Sequence, residues 1–453
     1  LEDLPNNYNF CLNNMSLPRI LIFGQPFNNF SGGGITLTNL FRGWERNKIV
    51  VAYKGHGLIN VTTDVCNTYY QLGRDEHKWI FPLNLIQRKF ISGLRSYEKS
   101  TKLEFNTIQK GLRYRLVNNF FYPVLKWLGF FHFAVRLEMS EKFKNWLHEY
   151  SPEIIYLQVA TRDEINFAIE LIEYLNVPAA IHMMDDWPST ISTTGLFKRY
   201  WSSKIDNEFK SLLDLVKLHL GISDAMAIEY ESRYKKRFFT FHNPINTENW
   251  LQHTKTEFTI NKEKIKILYS GRIGDNGISE SLFEVAGAID ALNESKEYKI
   301  TLHIQTPSKM KQILNRLGSY KCVVFNPFVE YRLLPEVFAQ SDILLLANDF
   351  SLKGIRYLKY SMPTKASEYM ISGTPVLIYA PSQAAVSEFF RLNECGYCIT
   401  TQGRNEIIAA IRSLIEDESL RRMISQNAVS LAKERFDAVK VSTEFQKMLI
   451  NLQ

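Results

Sequence analysis

Ser361-Met-Pro-Thr-Lys365-Ala-Ser-Glu368-Tyr-Met-Ile-Ser-Gly373-Thr-Pro375-Val-Leu377 reads as a loop that opens a helix, a glycine that stops it, and an apolar strand. A helix beginning near Pro363 presents unpaired backbone N–H groups and a positive dipole end around Ser361, Met362, Pro363 and Thr364, a setting that suits a diphosphate. Lys365 adds a mobile positive charge there. Glu368, one turn further on, offers an acceptor-only carboxylate able to take hydrogen bonds from two ribose hydroxyls. The stretch is the candidate nucleotide site.

The same residues resemble the nucleotide-sugar site of GT-B glycosyltransferases, and most closely the GT4-like group (glycosyl transferases group 1), whose pattern reads Ser-x-Pro-x-Lys-x-x-Glu-Tyr-x-x-x-Gly-x-Pro-Val. Ile265 to Arg272, Leu334 to Ala347 and Glu434-Arg435-Phe436 follow in the order that group shows, so the resemblance covers most of residues 257–440. Upstream it rests on Arg19 to Thr36 and on His182 to Pro188. It implies an α/β protein of two Rossmann-like domains facing a central cleft, and a hexosyltransferase that uses a nucleotide-diphosphate sugar as substrate. Retention of anomeric configuration and a glycan or lipid-linked acceptor, in polysaccharide or glycoconjugate biosynthesis, are further implications. No cofactor is expected.

Two positions depart from the group's pattern. Where members usually carry a lysine about five residues after the arginine, this chain has Gly274-Asp275-Asn276-Gly277, which leaves Lys365 to take that contact beside Arg272. Where many carry a first glutamate, eight positions before Glu368, it has Tyr360. A catalytically silent sugar-nucleotide binder and a sugar-nucleotide epimerase of the same fold therefore stay open as alternatives.

Working outward, apolar runs alternate with helical patterns, as in parallel sheets with helical crossovers. The expected layout is an N-terminal extension over 1–18, a Rossmann-like acceptor domain over 19–246, a nucleotide-sugar domain over 257–436, and a helix over 437–453 that returns to the first domain. The polar stretch Asn243 to Lys264 reads as the linker. Gly32-Gly33-Gly34 after the first strand places Gly33 and Gly34 where a backbone approaches a phosphate or sugar, with the helix expected from Ile35 or Thr36. A flexible turn is the plainer reading of the same glycines. Neither Gly-x-Gly-x-x-Gly nor Gly-Lys-Ser/Thr accompanies them, which weakens dinucleotide and P-loop readings.

Arg272, closing the first strand of the second domain, is positioned to clamp a diphosphate together with Lys365; a surface arginine in an ion pair is the alternative. His182 ends a strand of the first domain, and the resemblance places such a histidine by the donor sugar, with Asp185 and Asp186 approaching the acceptor. A satisfied core histidine and a helix-start cap are the plainer readings. No Asp-x-Asp or His-Glu-x-x-His is present, so no metal is expected, and the charge of the leaving diphosphate falls to Arg272, Lys365 and helix-end amides.

The 453 residues, 45% hydrophobic and 22% charged, suit a globular chain of more than one domain. No apolar run reaches the length of a membrane span and no secretory signal is visible, so a cytoplasmic location is expected. Five scattered cysteines do not form a disulfide framework, and Cys395-x-x-Cys398 reads as packing. Residues 84–136 hold ten Lys or Arg against Glu98 and Glu104, a net +8 beside +7 for the whole chain, with aromatics interleaved. That composition suits a surface lying on anionic membrane; a solvated basic face over core aromatics is the alternative. No nucleic-acid motif goes with it.

Overall fold

A computed structural model describes residues 17–28, 31–54, 61–81, 84, 90–96, 117–191, 193–274 and 277–453. Residues 1–16 of the expected extension over 1–18 and much of the basic stretch over 84–136 lie outside these residues, as do Asp275 and Asn276. The chain divides into two compact units, Leu1–Phe241 with Ser442–Gln453, and His242–Val441. The division falls just ahead of the polar stretch read as linker.

In the first unit the strands are β1 (Ile20–Phe23), β2 (Ile49–Lys54), β3 (Thr68–Leu72), β4 (His77–Trp79), β5 (Gly93–Ser96), β6 (Val135–Leu137), β7 (Ile154–Leu157), β8 (Ala179–Met183), β9 (Leu218–Gly221) and β10 (Phe238–Thr240). Eight form one sheet in the order β10-β9-β8-β7-β1-β2-β3-β5. It is parallel except for β5, which runs antiparallel to β3. β4 and β6 make a separate antiparallel ribbon. β1 and β7 are buried throughout, as strands covered by helices on both faces must be.

The second unit holds β11 (Ile265–Ser270), β12 (Ile300–Gln305), β13 (Val323–Asn326), β14 (Ile343–Ala347), β15 (Val376–Tyr379) and β16 (Tyr397–Ile399). Their order is β13-β12-β11-β14-β15-β16, all parallel. In chain order that is 3-2-1-4-5-6, the doubly wound arrangement whose strand order reverses between β11 and β14. Alternate residues of these strands feed two cores. Ile267, Tyr269, Leu302 and Leu345 pack with the helix Ser279–Glu294, while Leu268, Leu344, Leu346 and Ile378 pack with the helix Lys365–Ile371.

The C-terminal helix spans Ala438–Ile450, and from Ser442 onward it belongs to the first unit. Phe445 sits edge-on against Phe41, Tyr156 and Phe241, and Gln446 Nε2 donates to the carbonyls of Leu40 and Arg42. Among the described residues no helix is long and apolar enough to cross a membrane.

Candidate functional site

In a doubly wound sheet ligands sit beyond the C-terminal strand ends, at the point where the order reverses. In the second unit that point is the end of β11, where the chain continues through Gly271 and Arg272. The candidate residues of the 361–377 stretch gather there. Lys365 Nζ lies 3.8 Å from the centroid of the Tyr269 ring and 5.8 Å from that of Tyr369. Gly271, at φ +148, leaves room for it, since a Cβ there would stand 3.1 Å from Lys365 Nζ. The Tyr269 hydroxyl donates to the Arg272 carbonyl at 2.6 Å, and the Tyr369 hydroxyl accepts from the Ser270 N–H at 2.9 Å. Lys365 and the exposed Arg272 are thus held at one strand end.

The helix begins at Lys365 rather than near Pro363. Its first turn is prepared by the Ala366 N–H bonded to the Pro363 carbonyl, and Thr364 takes the cap position without a side-chain bond of its own. The helix runs only to Ile371, so the backbone-dipole contribution expected of a longer helix gives way to side-chain charge. Ser367 Oγ ties the loop down, donating to the carbonyls of Asn243 and Thr364. Ser361 and Met362 are buried beneath it. Gly373, at φ +69, ends the helix in the left-handed conformation glycine tolerates.

Glu368 is only 5% exposed, and burial pushes its carboxyl up to about 7; a hydrogen bond from Tyr331 and the charge of Lys365 work against that rise. Lys365 moves the other way, down to about 7, because its ammonium is desolvated beside aromatic rings; Glu368 partly offsets this. The two groups therefore stand near their switching points at neutral pH, each supported by the other's charge. A ligand bringing a diphosphate to Lys365 and hydroxyls to Glu368 would favour the charged form of both.

The remaining candidates lie in the first unit. The helix there starts at Gly32, not at Ile35 or Thr36, because Ser31 caps it by accepting the Gly34 N–H at 3.2 Å. The glycines are a first helical turn rather than a free loop. The Gly34 amide is engaged in that cap, and a Cβ on Gly34 would collide with the Asn28 side chain at 2.2 Å, so its glycine is explained by packing. Gly33 is more open and borders the Gln25 and Gln158 side chains.

His182, 1% exposed on β8, has Nδ1 2.7 Å from the Tyr156 hydroxyl, which also accepts from Gln158 Nε2 at 3.2 Å. It is built into the sheet. Asp186 is 2% exposed, and its carboxylate accepts from the Tyr230 hydroxyl at 2.8 Å, from Ser189 Oγ at 2.6 Å and from both terminal nitrogens of Arg233. The expected acceptor contact at Asp186 is therefore corrected to an internal clamp between β8 and the helix Asp224–Tyr234. Asp185 is half-buried beside it. Cys395 is buried, Cys398 partly so, and burial pushes both thiols up to about 12, as packing cysteines require.

One participant was not anticipated. Tyr331, in the short turn Tyr331–Leu333, reaches the Glu368 carboxyl, a contact made 37 positions away in sequence that no local pattern signals.

The family model for glycosyl transferases group 1 matches residues 252–430, which includes every site residue of the second unit from Arg272 to Glu368. No curated protein gives a significant match. Among solved structures, HepE of Anabaena in complex with UDP and glucose is similar at 12% identity with a TM-score of 0.59, covering 96% of this chain and 100% of that one. The sucrose-phosphate synthase of Thermosynechococcus elongatus is similar at 12% identity and a TM-score of 0.59, covering 96% and 98%. WaaG, a glycosyltransferase involved in lipopolysaccharide biosynthesis, is similar at 13% identity and 0.55, covering 95% and 99%. Residues 252–430 are thus similar to the glycosyl transferases group 1, and nearly the whole chain shares the fold of these solved structures.

Proposed function

We propose that the chain transfers a hexosyl group from a nucleotide-diphosphate donor held by the second unit, with retained configuration and without a protein-held metal. The observation that carries this is Lys365 lying against the Tyr269 ring at the end of β11, with the buried Glu368 one turn further along the same helix. In this reading Glu368 accepts the ribose hydroxyls, and Lys365 and Arg272 neutralise the charge that grows on the diphosphate as the sugar departs. Tyr331 orients the carboxyl. Ser361, Met362, Pro363 and Thr364 shape the wall beside the diphosphate.

HepE was solved with UDP and glucose and also with UDP-glucose, which supports a UDP-hexose as the first donor to test. The acceptor is proposed to be a glycan, lipid-linked and reached at an anionic membrane surface. The support for that is the net +8 of residues 84–136 and the exposed aromatics Phe120, Trp127, Phe130 and Phe133.

A thermal-shift panel of UDP, GDP, ADP, CMP and their sugars tests the donor. A ligand at 100 times its dissociation constant stabilises by about 2.7 kcal/mol. The expected result is a rise with a UDP-hexose that disappears in Glu368→Ala. No rise with any nucleotide would overturn the donor site.

A further inference from the structure

The first unit contains a cavity of about 500 Å³ whose walls are helices rather than strand ends. The short helix Trp187–Thr190, the first half of the helix Lys198–Leu215 and the end of the helix Asp224–Tyr234 enclose it. The middle helix has two faces here. Trp201, Ile205 and Phe209 are buried, while Lys198, Arg199, Ser202, Ser203 and Asp206 line the cavity from the adjoining face. Positions four apart on a helix lie one above the other, so each cation carries a hydroxyl one turn on, Lys198 with Ser202 and Arg199 with Ser203.

The floor of the cavity is satisfied within the protein. Arg233 is bonded to both oxygens of Asp186 and to Glu229, and Ser189 Oγ donates to Asp186 at 2.6 Å. Asp206, the carboxylate of the lining, is answered by Lys210 at 2.7 Å and by the Tyr234 hydroxyl at 3.2 Å. The rim is different. Among the described residues Lys198 and Arg199 have no carboxylate in ion-pair reach, and the hydroxyls of Thr193, Ser202 and Ser203 have no protein partner. The wall and its partners together hold four cations, Lys198, Arg199, Lys210 and Arg233, against three carboxylates, Asp186, Asp206 and Glu229. The surplus charge therefore sits on the rim.

Two unmatched cations and three unbonded hydroxyls on one cavity suit an oxyanion with more acceptor oxygens than a carboxylate has. A phosphate group supplies them. The volume, within the roughly 300–1,000 Å³ of small-molecule sites, leaves room for a small polyol that carries it. We propose that this cavity binds a phosphate group on a small polyol, held by Lys198, Arg199, Ser202 and Ser203. Leu196, Phe197 and Tyr200 stand exposed on either side of the two cations in sequence, so the phosphate comes either from a lipid headgroup or from a soluble ester. The site is independent of Arg272, Lys365 and Glu368, which belong to the other unit.

The test is phosphorus NMR of α-glycerophosphate and of inorganic phosphate titrated with the full chain. Parent and Lys365→Ala are run side by side, so that phosphate held at the donor site is told apart. Both signals are expected to broaden in both proteins. Affinity for α-glycerophosphate should fall roughly tenfold or more in Lys198→Ala with Arg199→Ala, as for a lost charge-assisted bond. It should also fall in Ser202→Ala with Ser203→Ala, which leaves the charge untouched. Far-ultraviolet dichroism checks that each variant is folded. Phosphatidylcholine vesicles containing phosphatidylglycerol separate the two sources. Pelleting that weakens in the serine pair and is competed by α-glycerophosphate assigns the site to a lipid headgroup; pelleting indifferent to both assigns it to a soluble ester. No broadening in Lys365→Ala would place the phosphate at the donor site or nowhere, and would overturn the proposal. A fall in the cation pair with none in the serine pair would reduce Lys198 and Arg199 to diffuse charge and overturn it as well. A chain that binds UDP but no α-glycerophosphate loses this site and keeps its donor site.

Discussion

At the scale of single residues, the informative groups are the two whose charge the surroundings hold in balance. The Glu368 carboxyl stands at about 7 in the folded chain against an ordinary 4.5, so between those values the folded state keeps a proton that the unfolded chain has released. Stability contributed by the neutral carboxyl is therefore full below 4.5 and is lost as pH rises through about 7. Glu368→Gln removes this loss. The melting midpoint of the variant should fall less than that of the parent between pH 5 and pH 8, while nucleotide affinity drops; an identical pH dependence in both proteins would show that Glu368 is not buried as described. Nucleotide binding should itself be bell-shaped about neutrality, because the ribose needs an ionised Glu368 and the diphosphate a protonated Lys365. Calorimetry across pH 5.5 to 9 reads both limbs. Arg272→Ala and Lys365→Ala should reduce turnover more than they weaken binding of the nucleoside alone, since the charge they meet grows during departure of the sugar. Turnover unchanged in both would move the diphosphate elsewhere. The meeting of Lys365 with the end of β11, where Arg272 follows, was legible in one short motif and one strand end. Tyr331 was not, and Asp186 was misread, because a carboxylate next to a strand end looks the same in sequence whether it faces a ligand or the Arg233 of a helix 47 residues on.

At the scale of elements, strands are readable wherever an apolar run is buried on both faces, as in β8 and β14, which are buried at every position of Ala179–Met183 and Ile343–Ala347. β3, β5 and the β4–β6 ribbon were not anticipated. Their sequences mix polar and apolar residues, and β5 runs against the parallel grain of its sheet. Helix starts were displaced in both directions for local reasons, forward to Gly32 by the Ser31 cap and back to Lys365 by Pro363 and the turn it closes. One element-level contact carries a stability prediction. Arg421, 3% exposed, donates to the carbonyls of Leu414 and Ile415 at the end of the helix Arg404–Glu416 and twice to that of Phe258. Arg421→Leu leaves three buried carbonyls short of a donor, each costing about 1–3 kcal/mol unless water reaches it. The midpoint of the second unit should fall by at least several degrees, at about 2–4 °C per kcal/mol for a domain of this size. A change within a degree would mean that solvent replaces the guanidinium.

At the scale of the whole molecule, the division into two parallel-sheet units followed from alternating runs, whereas the return of the last helix, expected over 437–453 from the resemblance and found from Ser442, is built from contacts spread along the chain. Phe445 meets Phe41 across some four hundred residues of sequence, which periodicity does not encode. Charge, by contrast, is fully legible, and it carries the last prediction. Removing residues 84–136, at +8, from a chain at +7 leaves the remainder close to neutral, so the excess is local. Around Trp127 the exposed apolar surface continues into a neighbouring loop: the Leu196 N–H donates to the Trp127 carbonyl at 2.8 Å, and Leu196, Phe197 and Tyr200 are 60%, 49% and 52% exposed. Lys126, Lys198 and Arg199 stand exposed among these side chains. Apolar groups inserted at the headgroup boundary and basic groups each adding about 1 kcal/mol near an anionic surface together give reversible attachment. The basic contribution is screened by salt and the apolar contribution is not. Co-sedimentation with anionic vesicles should therefore fall, without vanishing, between low and high ionic strength, and neutral vesicles should pellet less protein at either. Lys126→Glu with Lys198→Glu and Arg199→Glu should remove the salt-sensitive part, and Trp127→Ser with Phe130→Ser the salt-resistant part. Equal pelleting by neutral and anionic vesicles would reduce the basic residues to a solvated face, and with it the case for a lipid-linked acceptor.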